Sequence, residues 1–265
     1  MEEETSQETR DYEPAAAPLF LSGRAGGVGV VLVHGLTAAP TEVKPVAAFL
    51  HDREPSFTLS CPLLPGHGRS PAVLARTEPR SWLQVVNAEV DRLNTRCRTV
   101  SVVGVSMGAM LAAAVAVAGK SVGSIVMLAP VFALSPGKAL YVRLLRGIVP
   151  YAKKSRCSLE NHRAKRLFSY DRYPLVSLHH LHVLGTGIRR RLGELRIPVM
   201  VACGRRDPYV DFSSMKALCA SLGPPEAEFV DCPESGHVLP HEPDAAMLFD
   251  RMLRFLRCVH GIQTA

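Results

Sequence analysis

Short runs of β-branched and apolar residues alternate along the chain with stretches whose apolar positions recur every three or four residues. VGVVLVHG (28–35), FTLSC (57–61), TVSVVGVS (99–106), SIVMLAPVF (124–132), PVMVACG (198–204) and AEFVDC (227–232) read as strands. Helical spacing fills the gaps: Thr41 to His51, Pro79 to Arg96, the Ala-rich run after Ser106, Asp211 to Leu222, and Pro243 to Val259. In the second of these, Trp82, Val85, Val86, Val90 and Leu93 fall on one face. Strands that alternate with helices imply a mostly parallel sheet covered on both sides. The near-continuous apolarity of the strands agrees, because such strands are buried on both faces.

The alternation breaks once. Residues 133–196 are too long for a plain strand connection and carry helical patterns of their own, such as KALYVRLLRGIVP (138–150). They are read as a helical cap inserted into a core of residues 19–132 and 197–260. Residues 1–18, acidic and without an apolar run, are read as a disordered tail and not as a signal peptide. The 21 residues between Arg98 and Lys120 carry no charge and have the length of a membrane span. Their change from β-branched TVSVVGVS to Ala- and Met-rich MGAMLAAAVAVAG, with internal glycines, points to a buried strand followed by a buried helix.

Charge and cysteines refine this picture. The chain of 265 residues has a formal net charge of +7, and its basic excess is local: residues 133–196 hold fourteen Lys/Arg against three Asp/Glu. The plain reading is a solvated surface. The sharper reading is a peripheral contact with anionic membrane, since Arg143 and Arg146 lie one turn apart beside Leu140, Leu144, Leu145 and Ile148. Seven scattered cysteines form no CxxC pair, which argues for reduced thiols in a cytoplasmic protein and against a disulfide framework or a zinc site.

The candidate chemistry centres on Gly104-Val105-Ser106-Met107-Gly108, where a strand ends and a helix begins. A sharp strand-to-helix turn exposes a serine hydroxyl for attack on an acyl carbon, and the glycines permit the turn and close packing. The helix N-terminus then aims N–H groups at the developing oxyanion. Serine needs a base. Asp207, in GRRD (204–207), and His237, in SGHV (235–238), follow later strands in the order this turn requires. Their rivals are weaker: Asp211 suits a helix N-cap, His241 in LPHEP reads as a surface residue, and His67 in PGHG as a loop-fixing one. An ion pair with Arg205 or Arg206 is the plain alternative for Asp207. The second oxyanion donor is expected after the first strong strand, at His34-Gly35-Leu36-Thr37, so the N–H groups of Leu36 and Met107 form the pair.

HGLTAAP, LPGHGRS, GVSMG, GRRD and SGHV, in this order and spacing over about residues 19–258, resemble bacterial carboxylesterases and monoacylglycerol lipases of the α/β-hydrolase superfamily. The resemblance implies an α/β-hydrolase fold, a catalytic triad of Ser106, Asp207 and His237, and an oxyanion hole of Leu36 and Met107. Where the family often has GLSMGG, this chain has GVSMGA, and its cap is unusually basic. Hydrolysis of short or medium acyl esters or monoacylglycerol through an acyl-enzyme is the expectation. A peptidase or C–C bond hydrolase on the same triad, and a non-catalytic binding protein using the basic cap, remain as alternatives. GRAGGVG (23–29) precedes a strand, whereas a dinucleotide loop must follow one. HHLH (179–182) has no carboxylate or cysteine beside it and reads as cap packing. No cofactor, metal or nucleic-acid partner is expected; the partner is a small-molecule ester, and the oligomeric state is open.

Overall fold

The computed structural model describes residues 12–223 and 227–262. Nine strands occur among them: β1 (Leu19–Leu21), β2 (Val28–Val33), β3 (Thr58–Cys61), β4 (Thr99–Val105), β5 (Ser124–Leu128), β6 (Tyr151–Lys153), β7 (Arg172–Pro174), β8 (Val199–Gly204) and β9 (Ala227–Cys232). The helices are α1 (Lys44–Arg53), α2 (Pro71–Ala75), α3 (Pro79–Asn94), α4 (Met107–Val117), α5 (Pro136–Leu145), α6 (Arg156–Ala164), α7 (Leu175–Arg191), α8 (Phe212–Ala220) and α9 (Ala245–Val259). Seven strands form one sheet in the order β1-β3-β2-β4-β5-β8-β9. All pairs in it are parallel except the β1–β3 edge.

Period-two alternation divides the core. Val31, Val33, Val100, Val102, Ile125, Met127, Val199 and Val201 belong to one cluster with side chains of α3, α4, α7 and α8. Val30, Leu32, Val103, Val105, Val126, Leu128, Met200 and Ala202 belong to a second with α1 and α9. Both faces of the central strands are therefore dry, which is why they read as unbroken apolar runs. α4 lies against the sheet and under α3 and α7, and its small residues are buried from Met107 to Val115. The charge-free stretch 99–119 is thus split between β4 and α4, and among the described residues no helix is long and apolar enough to cross a membrane.

Some elements escape the sequence pattern. β1, β6 and β7 are three residues each, too short for periodicity to register. The β5 strand stops at Leu128, because Ala129 turns into the left-handed region with φ 46°. The expected disordered tail lies outside the described residues over 1–11. From Tyr12 onward the chain is held: Glu13 N–H donates to the Gly68 carbonyl at 2.8 Å, and Ala16 is buried in a 3-10 turn. Residues 133–196 run from β5 to β8 and contain α5, the β6–β7 antiparallel pair, α6 and α7.

Candidate active site

Three residues far apart in the sequence, Ser106, Asp207 and His237, meet at the carboxyl edge of the sheet. Ser106 sits between β4 and α4 with φ 56° and ψ −112°, a conformation costly for a residue with a Cβ. The crossing is tight: a Cβ on Gly104 would lie 2.1 Å from the carbonyl of Gly108, and one on Gly108 would lie 2.1 Å from the Val33 carbonyl. Only glycine fits at either position, so β2, β4 and the first turn of α4 converge and Ser106 is lifted to the edge. Among neighbours that are buried, Ser106 alone in the segment 101–110 is partly exposed.

His237 follows β9, and its Nε2 lies 2.9 Å from Ser106 Oγ while its Nδ1 lies 2.7 Å from Asp207 Oδ2. The Asp207 side chain is fully buried, and its Oδ1 accepts the Tyr209 and Val210 N–H groups at 2.8 and 3.1 Å. These bonds make the carboxylate an acceptor on both oxygens, so Nδ1 of His237 carries the hydrogen and Nε2 is free to accept from the serine. An imidazole held this way can take the hydroxyl proton and return it to a leaving group. The surface ion pair weighed for Asp207 is not formed: Arg205 pairs with Asp231, and Arg206 with Glu234. Asp211 caps α8, accepting the Ser214 N–H at 2.7 Å. His241 differs from expectation; it is half-buried, with Nε2 3.1 Å from the Thr41 carbonyl, and so is a packing residue and not a surface one.

Met107 follows Ser106 in the chain, and the loop before Leu36 packs on it: a Cβ on Gly35 would lie 3.3 Å from Ser106 Cβ. Among the described residues neither backbone N–H has a protein acceptor. The loop carrying Leu36 is clamped from two sides. His34 Nδ1 donates to the Gly35 carbonyl at 2.9 Å and its Nε2 accepts the Leu64 N–H at 3.1 Å. Burial lowers the His34 pKa to about 4, so the ring stays neutral in the tautomer these bonds need. In a trans peptide the N–H points away from its carbonyl; holding Gly35 C=O therefore aims Leu36 N–H to the opposite side. On the other flank, buried Glu42 accepts the Gly35 N–H at 2.6 Å. Burial raises the Glu42 pKa, while the Gly35 N–H and then electrostatic coupling to His237 and Lys154 pull it down. Glu42 was missed in the sequence, because a lone acid in a loop carries no motif. Thr37, Ser106 and Ala129, with φ 65°, 56° and 46°, place left-handed backbone at the ends of β2, β4 and β5. Such strain, about 1–3 kcal/mol per residue, clusters at functional sites.

Other sequence signals find structural places. His67 is buried edge-on against His34, with its Nδ1 3.1 Å from the Pro65 carbonyl. His179, His180 and His182 lie on α7, where His182 Nδ1 accepts the Leu134 N–H at 3.2 Å, and among the described residues no group of three or more ligating side chains could hold a metal. Tyr209 stands edge-on to the His237 ring with centroids 4.9 Å apart.

Comparison with known proteins agrees with this architecture. Over 232 residues the chain is 28% identical to a thermostable monoacylglycerol lipase of Bacillus sp. (strain H-257), covering 87% of this chain and 90% of that protein. It is 22% identical to a carboxylesterase of Bacillus subtilis (strain 168) over 237 residues, 88% of this chain and 94% of the other. A solved structure from work on the metagenome-derived lipolytic enzymes LipS and LipT superposes with a TM-score of 0.80 at 21% identity, covering 92% and 98% of the two chains. The model of the alpha/beta hydrolase family matches residues 30–251, which span the strand-end turn and the loops bearing Asp207 and His237, and this chain belongs to that family.

Proposed function

We propose that this chain hydrolyses carboxylic esters through an acyl-enzyme on Ser106. The observation that carries the reading is the hydrogen-bonded line from buried Asp207 through His237 to the hydroxyl of Ser106. His237 takes the serine proton as Oγ attacks the carbonyl, and the Leu36 and Met107 N–H groups receive the oxyanion. The alcohol leaves with the proton from His237, and a water activated by the same ring releases the acid. The lipase and esterase relatives support an ester over an amide, and the monoacylglycerol lipase among them supports a short to medium acyl ester or a monoglyceride.

Residues 133–196 act as a cap over the acyl pocket in this reading. Their α5 carries Leu140, Tyr141 and Leu144 exposed, with Ile148 just beyond it at 80% exposure, and Arg143 and Arg146 among them. Apolar side chains in water flanked by cations suit a peripheral contact with anionic lipid. The thiols, free in all seven cysteines, support a reducing, cytoplasmic setting. The catalytic reading is tested by hydrolysis of p-nitrophenyl esters of graded chain length, which Ser106→Ala should abolish while leaving the fold intact.

A further inference from the structure

Lys154 stands just after β6 and is only 8% exposed. Buried lysines are rare unless paired, yet among the described residues no carboxylate lies within ion-pair distance of this one. Among the described residues its ammonium donates one hydrogen bond, to a neutral group, the Ser169 hydroxyl at 2.5 Å. Two acids act on it electrostatically from beyond ion-pair distance, and each holds another partner: Glu42 Oε2 accepts the Gly35 N–H, and Asp171 pairs with Arg172 at 2.8 Å. Nearby Lys165, by contrast, is neutralised by Glu242 at 2.7 Å. Burial lowers the Lys154 pKa to about 8, which leaves the ammonium charged at neutral pH.

The position ties this cation to the reacting centre. Lys154 Nζ lies 4.7 Å from the centroid of the Tyr173 ring. The Tyr173 phenol is held neutral, first by burial and then by the adjacent Tyr209 phenol. Tyr209 in turn packs against His237, and Lys138 Nζ lies 5.7 Å from its ring centroid. Glu42 feels both Lys154 and His237, so these groups share one electrostatic neighbourhood beside the loop of Leu36.

We propose that Lys154 is a specificity-determining residue whose ammonium receives a negatively charged group, a carboxylate or phosphate, carried by the ester substrate. This rests on the reading of the chain as an ester hydrolase. A buried ammonium with two N–H donors to spare forms a charge-assisted hydrogen bond with such an anion, and the anion supplies the partner the protein withholds. A neutral ester would leave the cation as unpaired as it is in the free protein. Selectivity then comes from pairing a charge that is already desolvated.

The test uses two matched substrate pairs, which separate a charge on the acyl side from one on the alcohol side. The first is p-nitrophenyl hexanoate against the mono-p-nitrophenyl ester of adipic acid. The second is 1-hexanoylglycerol against its 3-phosphate. In the wild type, kcat/KM for the charged member of one pair should exceed that of its neutral partner by roughly tenfold or more, the scale of one charge-assisted hydrogen bond. Lys154→Met should lower kcat/KM for the charged member far more than for its neutral partner and so erase that preference, and Lys154→Arg should keep part of it. Neutral esters hydrolysed as fast as, or faster than, their charged partners in both pairs, or a preference that survives in Lys154→Met, would overturn the assignment. A purely structural lysine would lower both members of a pair alike. Should the wild type hydrolyse none of the four, the ester-hydrolase reading itself fails, an outcome distinct from equal rates on charged and neutral esters.

Discussion

At the scale of single residues, the site is organised by what each polar group is denied as much as by what it holds. The Asp207 side chain is shut away from the surface, and the neighbouring arginines pair elsewhere, so both oxygens serve the loop and the His237 ring. Glu42 has one backbone N–H to accept, that of Gly35. Removing its carboxylate leaves a buried N–H unpaired, a loss of about 1–3 kcal/mol, and loosens the peptide that aims Leu36. Glu42→Ala is expected to lower kcat roughly tenfold to a hundredfold with little change in KM, as befits an interaction used in the transition state. Glu42→Gln, whose amide oxygen can still accept, should keep most of the rate. A folded Glu42→Ala with wild-type kcat would contradict this role. The meeting of Ser106, Asp207 and His237 was legible in the sequence because each follows a strand end within three residues of a glycine. Glu42 and Lys154 were not, since their meaning depends on partners that no motif marks: the Gly35 N–H seven residues back, and the Ser169 hydroxyl fifteen residues on.

At the scale of elements, the position of Ser106 depends on β2, β4 and α4 approaching more closely than side chains allow. Gly108 stands where any Cβ would meet the Val33 backbone at 2.1 Å, and backbone cannot yield as a flexible side chain does. Gly108→Ala should therefore cost at least the 1–3 kcal/mol typical of overpacking, seen as a lower urea midpoint, and should reduce activity by displacing the turn. An unchanged midpoint would show that the crossing has slack. The five inner strands, β2, β3, β4, β5 and β8, were readable because burial on both faces writes near-continuous apolarity into them; β9, at the other edge, is only partly buried. The edge strand β1 and the β6–β7 pair left no such trace. The β1 strand is only half-buried and antiparallel, and β6 and β7 pair over three residues within a basic, irregular segment.

At the scale of the whole molecule, charge and apolar exposure coincide on one side of the segment 133–196. Leu140, Leu144 and Ile148 are 53%, 61% and 80% exposed, and the arginines between them are exposed too. The sequence showed the amphipathic spacing, but only the packing reveals that the apolar side faces outward: of the residues in α5 only Val142 is buried. Cosedimentation with vesicles should increase with anionic lipid content, fall with added salt, and weaken in Leu144→Ser/Ile148→Ser. Binding that ignores both lipid charge and salt would remove the membrane reading and leave the patch to a lid or another partner. Residues 133–196 are also fastened to the loop of Leu36, through Tyr170 N–H to the Thr37 carbonyl at 3.0 Å and Phe168 N–H to Thr41 Oγ1 at 3.3 Å. A shape change in this segment would reach that loop directly.

Whether Ser106 is the nucleophile of an ester hydrolase is decided by the ester assay of the wild type beside Ser106→Ala, with both proteins shown to be folded. The wild type should turn over p-nitrophenyl esters with a defined chain-length optimum. In the variant, loss should reach at least about 10³-fold, as expected when the nucleophile of a serine hydrolase is removed. Comparable hydrolysis by the two proteins, or none by the wild type on any chain length, would contradict that role.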